Sequence, residues 1–294
     1  SPLALAQAKL VRRLLSEAHG VGEDEIAIEV FSTGGDRSQA ANVELATIGG
    51  KGVFTKEIDE ALLAGRIDIG VHSSKDVATG IPDGMALAAF LEREDVRDAF
   101  LSVKVQSIDH LPEGARFGTS SIRRAAQALR LRPDLEIVPF RGNVHTRLNK
   151  LLEGVADATL LAMAGLNRLE EAHRATAILD IQNFMPGPAQ GAIGLAVRSD
   201  DERFRSLVAA LDHAATHAAI LAERTMLAVL DGSCRTPVGA FTAGTGAGLT
   251  LKGEILSLDG QTSFQAEASG ATPGALGEKV GKSLLEQAGP DWVR

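Results

Sequence analysis

Apolar residues recur on one face of the first segment, at Leu3, Leu10, Leu14 and their neighbours, and this stripe predicts an amphipathic helix. Ser1 is placed to cap it, Pro2 fits its first position, and Gly20 lies just beyond its end. Residues 25–31, EIAIEVF, change to a period of two and predict a strand. KEIDEALLAG (56–65) returns to a helical pattern closed by Gly65. IDIGV (67–71) is a short apolar run of the kind found in buried parallel strands, and MALAAFL (85–91) predicts another strand. After REDVRDAF (93–100), helices over about 121–130 and 143–153 alternate with strands over LEIVPF (135–140) and ATLLAM (158–163). AGLNRLEEA (164–172) then turns helical. Strands alternating with helices of this length predict parallel sheets covered by helices.

MPGPAQGAIGLAVR (185–198) reads as a Pro/Gly-rich crossing followed by a strand, and helices follow over 201–211 and roughly 214–230. From Gly232 the texture changes. RTPVGAFTA, LTLKGEILSL and TSFQAEASG predict three antiparallel strands joined by Gly-rich turns, covered by a last helix over about 273–288. GTGAG (244–248) is a hairpin turn in this reading, not a nucleotide loop. The expected fold class is α/β: two similar α/β domains and a small α+β domain at the C-terminus.

The 294 residues suffice for two or three buried cores. No apolar run is long enough to cross a bilayer as a helix. The start at Ser1 leaves secretion open, because a cleaved leader would give the same start. The single cysteine, Cys234, cannot form an internal disulfide and points to a reducing compartment. A net charge of −8 argues against nonspecific nucleic-acid binding. Yet Arg and Lys recur beside Gly, Ser and Thr in predicted turns, which suits a small polyanionic ligand.

Five segments carry candidate chemistry. VHSSKD (71–76) ends a predicted buried strand, the edge where parallel sheets collect ligands. Lys75 offers a charge to a carboxylate and Asp76 could stabilise a cation or move a proton; a solvated turn with a local ion pair is the plainer reading. In GTSSIRRA (118–125), Thr119, Ser120 and Ser121 lie at a predicted helix N-terminus, and Arg123 and Arg124 add forked donors suited to carboxylates. A serine cap followed by surface arginines would look the same. RGNVHTRLNKL (141–151) repeats the arrangement with Arg141, Asn143 and Arg147. Two such junctions in succession predict an anion-binding rim. GGKGVFTKE (49–57) lacks Walker A spacing, but Lys51 can reach an anionic ligand. GSCRTPVGAF (232–241) places Cys234 in a loop beside Arg235, which favours a thiolate, although a lone cysteine commonly serves as a small buried hydrophobe. His213 and His217 lack the glutamate of a zincin motif, and no metal site is expected.

Nine stretches in order, SPLALAQ, GGKGVFTKEID, IDIGVHSSKDV, REDVRDAF, GTSSIRRAAQ, RGNVHTRLNKL, AGLNRL, PAQGAIGL and AERTMLAVLDGSCRTPVGAF, resemble the porphobilinogen deaminase (hydroxymethylbilane synthase) family. The resemblance implies three domains, here 1–92 with 191–210, 97–186 and 213–294, the first two arranged like a periplasmic binding protein. It implies a dipyrromethane cofactor on the sulfur of Cys234, onto which four porphobilinogen molecules are joined with loss of ammonia before hydroxymethylbilane is released. Asp76 matches the family's catalytic aspartate. Ser73, Lys75, Arg123, Arg124, Arg141, Arg147 and Arg168 match positions that bind pyrrole carboxylates, with Thr119, Ser120, Ser121 and Gln190 as hydrogen-bonding supports. A cytoplasmic monomer without nucleic-acid or membrane partners is implied. The arginine that the family carries two residues before the first serine lies outside this sequence, and the last fifty residues match only in general character. A nonenzymatic anion-binding protein of the same architecture, or an enzyme using Cys234 directly as nucleophile, stays open on the residues alone.

Overall fold

A computed structural model describes residues 1–32, 55–230, 236–289 and 292, so Lys51 and Cys234 lie outside the described residues. The chain divides into two compact units, Ser1–Glu94 with Gly191–His217, and Asp95–Gln190 with Ala218–Arg294.

The first unit begins with helix α1 (Pro2–His19), whose cap is the one anticipated: Ser1 Oγ accepts from Ala4 N at 3.3 Å, and Gly20 closes the end at φ 66°. Helix α2 (Lys56–Leu63) follows. Strands β1 (Gly70–Ser73) and β2 (Met85–Phe90) flank a strand from much later in the chain, Ile193–Arg198 (β8 below), in the order β1-β8-β2. Both pairings are antiparallel. This corrects the parallel strand expected at IDIGV: an apolar run encodes burial on both faces, but its direction depends on a partner some 120 residues away. The strand expected over 25–31 is also corrected. Glu23–Glu25 form a 3-10 turn, and residues 26–32 join no sheet among the described residues. Their alternation still has a use, since Ile26 packs on the core of Val11, Leu15, Leu91, Ile193, Leu195 and Val208.

The second unit contains a five-stranded sheet of β3 (Asp98–Leu101), β4 (Arg116–Gly118), β5 (Glu136–Val138), β6 (Ala158–Ala162) and β7 (Ala177–Ile178), in the order β5-β4-β6-β3-β7. The β4–β5 and β4–β6 pairs are parallel, joined through helices α3 (Ile122–Leu131) and α4 (Val144–Leu152), as the alternating pattern required. The pairs made by β3 are antiparallel, which the sequence did not reveal. Alternate residues divide between two cores. Phe100, Phe117 and Leu160 fill one, while Leu101, Phe140, Leu161 and Leu166 fill the other. Short helix α5 (Met163–Arg168) follows β6.

After β8 (Ile193–Arg198) come α6 (Glu202–Ala209) and α7 (Ala214–Val229), the latter running from the first unit into the second. The C-terminal part of the second unit is an antiparallel sheet, β9 (Val238–Ala243), β10 (Thr250–Leu256) and β11 (Ser263–Ser269), covered by α8 (Pro273–Ala288) as expected. Gly277 lets α8 approach α7 closely, for a Cβ there would lie 2.4 Å from the Ala222 carbonyl oxygen. Met226, Leu251, Ile255, Val280 and Leu284 make the shared core.

Candidate active site

In the first unit, β1 is held along its length by β8, and Ser74 N donates to Ala192 O at 3.0 Å. The chain then turns tightly through Ser74–Asp76, leaving Lys75 and Asp76 exposed at the strand end. Ser73 is oriented by Gln7 of α1, whose Nε2 donates to Ser73 Oγ at 2.9 Å. Gln7, Ser73 and Asp76 line a cavity of about 840 Å³ within this unit. Beneath them His72 is buried. Desolvation pushes its imidazole down to about 4, against the opposing pull of the Asp76 charge, so the ring is neutral near pH 7. Asp59 Oδ1 lies 3.5 Å from His72 Nε2, and burial raises the Asp59 carboxyl.

The second unit assembles most of the remaining candidates. Strand β4 ends at Gly118, where a Cβ would stand 2.7 Å from the Phe140 ring, so glycine is required by close approach. The next three side chains shape the turn: Thr119 Oγ1 accepts from Ser121 N at 3.1 Å, Ser120 Oγ accepts from Phe140 N at 3.1 Å, and Ser121 Oγ caps α3 by accepting from Arg124 N.

The two arginines that follow are not on an exposed rim, which corrects that expectation. Each is 6% exposed, turned inward onto Asp98, which is wholly buried at the start of β3. Arg123 Nη2 donates to Asp98 Oδ2 at 2.9 Å, and its Nη1 donates to Gln127 Oε1 and Met185 O. Arg124 Nη2 donates to Asp98 Oδ1 at 2.7 Å and its Nη1 to Leu160 O at 3.0 Å. Gln190 Nε2 donates to the same Asp98 Oδ1 at 2.9 Å and to Val96 O at 2.7 Å. Burial alone would raise the Asp98 carboxyl, but the two guanidiniums outweigh it and hold it well below the usual carboxylate range. Helix periodicity brings both arginines inward because a partner charge waits in the sheet; a buried guanidinium is tolerated only with such a partner.

Arg141, Arg147 and Arg168 are half-buried. Asn143 caps α4 by accepting from Thr146 N at 2.9 Å, and Arg147 Nε donates to Gly142 O at 2.8 Å. Lys150 Nζ donates to Arg141 O at 3.1 Å, which stiffens the junction. Arg168 is the last residue of α5. The sequence analysis did not single out Gln7 or Asp98, which hydrogen-bond the candidate residues Ser73, Arg123, Arg124 and Gln190. Asp98 had a signal: an acidic residue opening the apolar run DAFL is costly to bury unless cations meet it.

Residues 1–206 match the family described as porphobilinogen deaminase, dipyromethane cofactor binding domain, and residues 217–286 match porphobilinogen deaminase, C-terminal domain. Relatives named porphobilinogen deaminase from Nitrobacter hamburgensis and Nitrobacter winogradskyi are 51% and 50% identical over 291 residues, covering 98% of this chain and 92% of each relative. Among solved structures it is similar to a periplasmic substrate-binding protein of an ABC transporter from Coxiella burnetii (15% identity, 72% of this chain and 91% of that one, TM-score 0.43). A nutrient-binding protein from Burkholderia cenocepacia is comparable (14% identity, 69% and 87%, TM-score 0.42). On the two family matches and the half-identical relatives, the chain belongs to the porphobilinogen deaminase family.

Proposed function

We propose that Asp76 is the catalytic carboxylate, that Cys234 tethers a dipyrromethane, and that Ser73, Lys75, Arg123, Arg124, Arg141, Arg147 and Arg168 hold pyrrole carboxylates, with Thr119, Ser120, Ser121, Gln190 and Lys51 in support. The reaction is the family's own. It is a transferase step of porphyrin and heme biosynthesis in which four porphobilinogen molecules are deaminated and joined head to tail, releasing hydroxymethylbilane and ammonia.

The residues fit a group bearing acetate and propionate arms. The observation that carries this is the Arg123–Arg124–Asp98 cluster: two buried cations share one carboxylate, and Arg124 Nε has no hydrogen-bond partner among the described residues. When bound, the dipyrromethane supplies the pyrrole carbon to which the first porphobilinogen is joined. Loss of ammonia breaks the aminomethyl C–N bond of porphobilinogen and leaves a cationic methylene-pyrrolenine. In this reading Asp76, exposed at the strand end, accepts a hydrogen bond from a pyrrole N–H and stabilises that cation more than the neutral substrate. Ser73, fixed by Gln7, and Lys75 beside it offer a hydroxyl and a point charge to an acidic arm.

The three-domain division (1–92 with 191–210, 97–186, 213–294), the periplasmic-binding-protein-like arrangement of the first two, a cytoplasmic location and a monomeric state belong to the same proposal. Among the described residues no helix is long and apolar enough to cross a membrane.

Intact mass under denaturing conditions tests the tether. The purified protein is expected to exceed its chain mass by two linked pyrrole units, and Cys234→Ser is expected to lack the excess. A chain of unmodified mass that gains nothing after incubation with porphobilinogen overturns the proposal.

A further inference from the structure

The family reaction explains why arginines gather near the head of α3, but not why a buried acid sits among them. Asp98 spends both oxygens on the cluster. Oδ1 accepts from Arg124 and Gln190, and Oδ2 accepts from Arg123. The neighbouring buried acid, Glu254, is matched separately by Arg130, so it does not neutralise the pair. Arg123, Arg124 and Asp98 therefore carry one excess positive charge that is largely withdrawn from water. All four terminal nitrogens of the pair donate to protein oxygens, and Arg124 Nε is a buried donor with no hydrogen-bond partner among the described residues. A single carboxylate from outside would meet both the excess charge and the unsatisfied N–H.

We propose that Asp98 is a positioning residue for carboxylate recognition. It fixes two adjacent guanidiniums and the Gln190 amide on one buried anchor, yet supplies one negative charge to two positive ones, so that the cluster is completed by an acidic arm of the bound pyrroles. A second acid would have neutralised the pair and removed its affinity. No acid would have left two like charges buried together and free to splay apart. The role rests on the proposed carboxylate-binding function of Arg123 and Arg124.

The test uses the purified holoenzyme. Occupancy of the covalent group is read from intact mass, stability from thermal melting, and KM and kcat from turnover of porphobilinogen well below the melt. Asp98→Asn keeps the shape and removes the charge; Asp98→Glu keeps the charge and displaces it by one methylene. Each is expected to lower occupancy severalfold or raise KM about tenfold, with kcat of the occupied fraction within about threefold of the parent. A lower melting temperature with occupancy and KM unchanged means a merely structural acid, and overturns the proposal. If the Asn variant does not fold, the Glu variant decides by the same readouts. Arg124→Lys, which keeps charge but loses the Nε–H and the fork, separates the two layers. Unchanged occupancy and KM there sink the carboxylate-binding reading itself. Impairment there, with the Asp98 variants unimpaired, sinks only the positioning role.

Discussion

Glu223, on α7, is fully buried, and both of its carboxylate oxygens serve backbone donors. Oε2 accepts from Ala189 N at 2.7 Å and Oε1 from Thr242 N at 3.0 Å. One side chain thus ties the segment that delivers Gln190 to Asp98 onto β9, the strand that follows the stretch bearing Cys234. It also holds Ala189 at φ 61°, a left-handed backbone angle uncommon outside glycine. Glu223→Ala strands two buried N–H groups, each costing about 1–3 kcal/mol, and the vacated volume adds about 1 kcal/mol more, so roughly 3–7 kcal/mol of stability should be lost. Glu223→Gln keeps the shape, but its one carbonyl oxygen can satisfy only one of the two donors and its amide faces the other. The expected loss is about 2–4 kcal/mol. Urea unfolding measures both, followed by far-UV circular dichroism and by the fluorescence of Trp292, the single tryptophan, which packs edge-on against Phe264 of the C-terminal sheet. A Glu223→Ala protein that unfolds within about 1 kcal/mol of the parent would refute the reasoning, because two charge-assisted bonds to buried donors cannot be that weak.

Three further outcomes are expected. Asp76→Asn should fold with stability within about 0.5 kcal/mol of the parent, since the side chain is exposed, but lose at least about 10²-fold in kcat; near-normal turnover would remove Asp76 from the chemistry. Arg141→Lys keeps the charge but not the fork, and steady-state kinetics should show kcat/KM reduced roughly tenfold or more. His72 makes stability depend on pH: its folded value, about 4, lies below its ordinary 6.5, so the unfolded chain takes up the proton first. Stability is therefore full above pH 6.5 and falls by roughly 3 kcal/mol as pH drops to 4, a slope that His72→Gln should remove. Asp59, raised by burial, acts in the opposite sense, and Asp98, held low, acts only at lower pH, so the difference between parent and variant across that window isolates His72.

Helix ends were the most legible features of the chain. Ser1, Ser121 and Asn143 each cap the helix they were expected to start, and Gly20 ends the first one, because a cap depends on four or five consecutive residues. The C-terminal meander was equally plain, since antiparallel neighbours need only short turns between them. The motifs around Asp76, Arg123, Arg141 and Cys234 carried the family likeness that the full-length relatives established.

By itself the sequence determined where helices begin and stop, which residues seek burial, and which family the chain belongs to, since each is written in neighbouring residues or in ordered motifs. Only the tertiary structure decided that β8 lies between β1 and β2, that β3 runs antiparallel in its sheet, and that Arg123 and Arg124 turn inward onto Asp98. The physical reason is the same in all three. Strand direction and the burial of a charge are settled by partners some 25 to 120 residues away, and no local pattern encodes where a distant partner will stand.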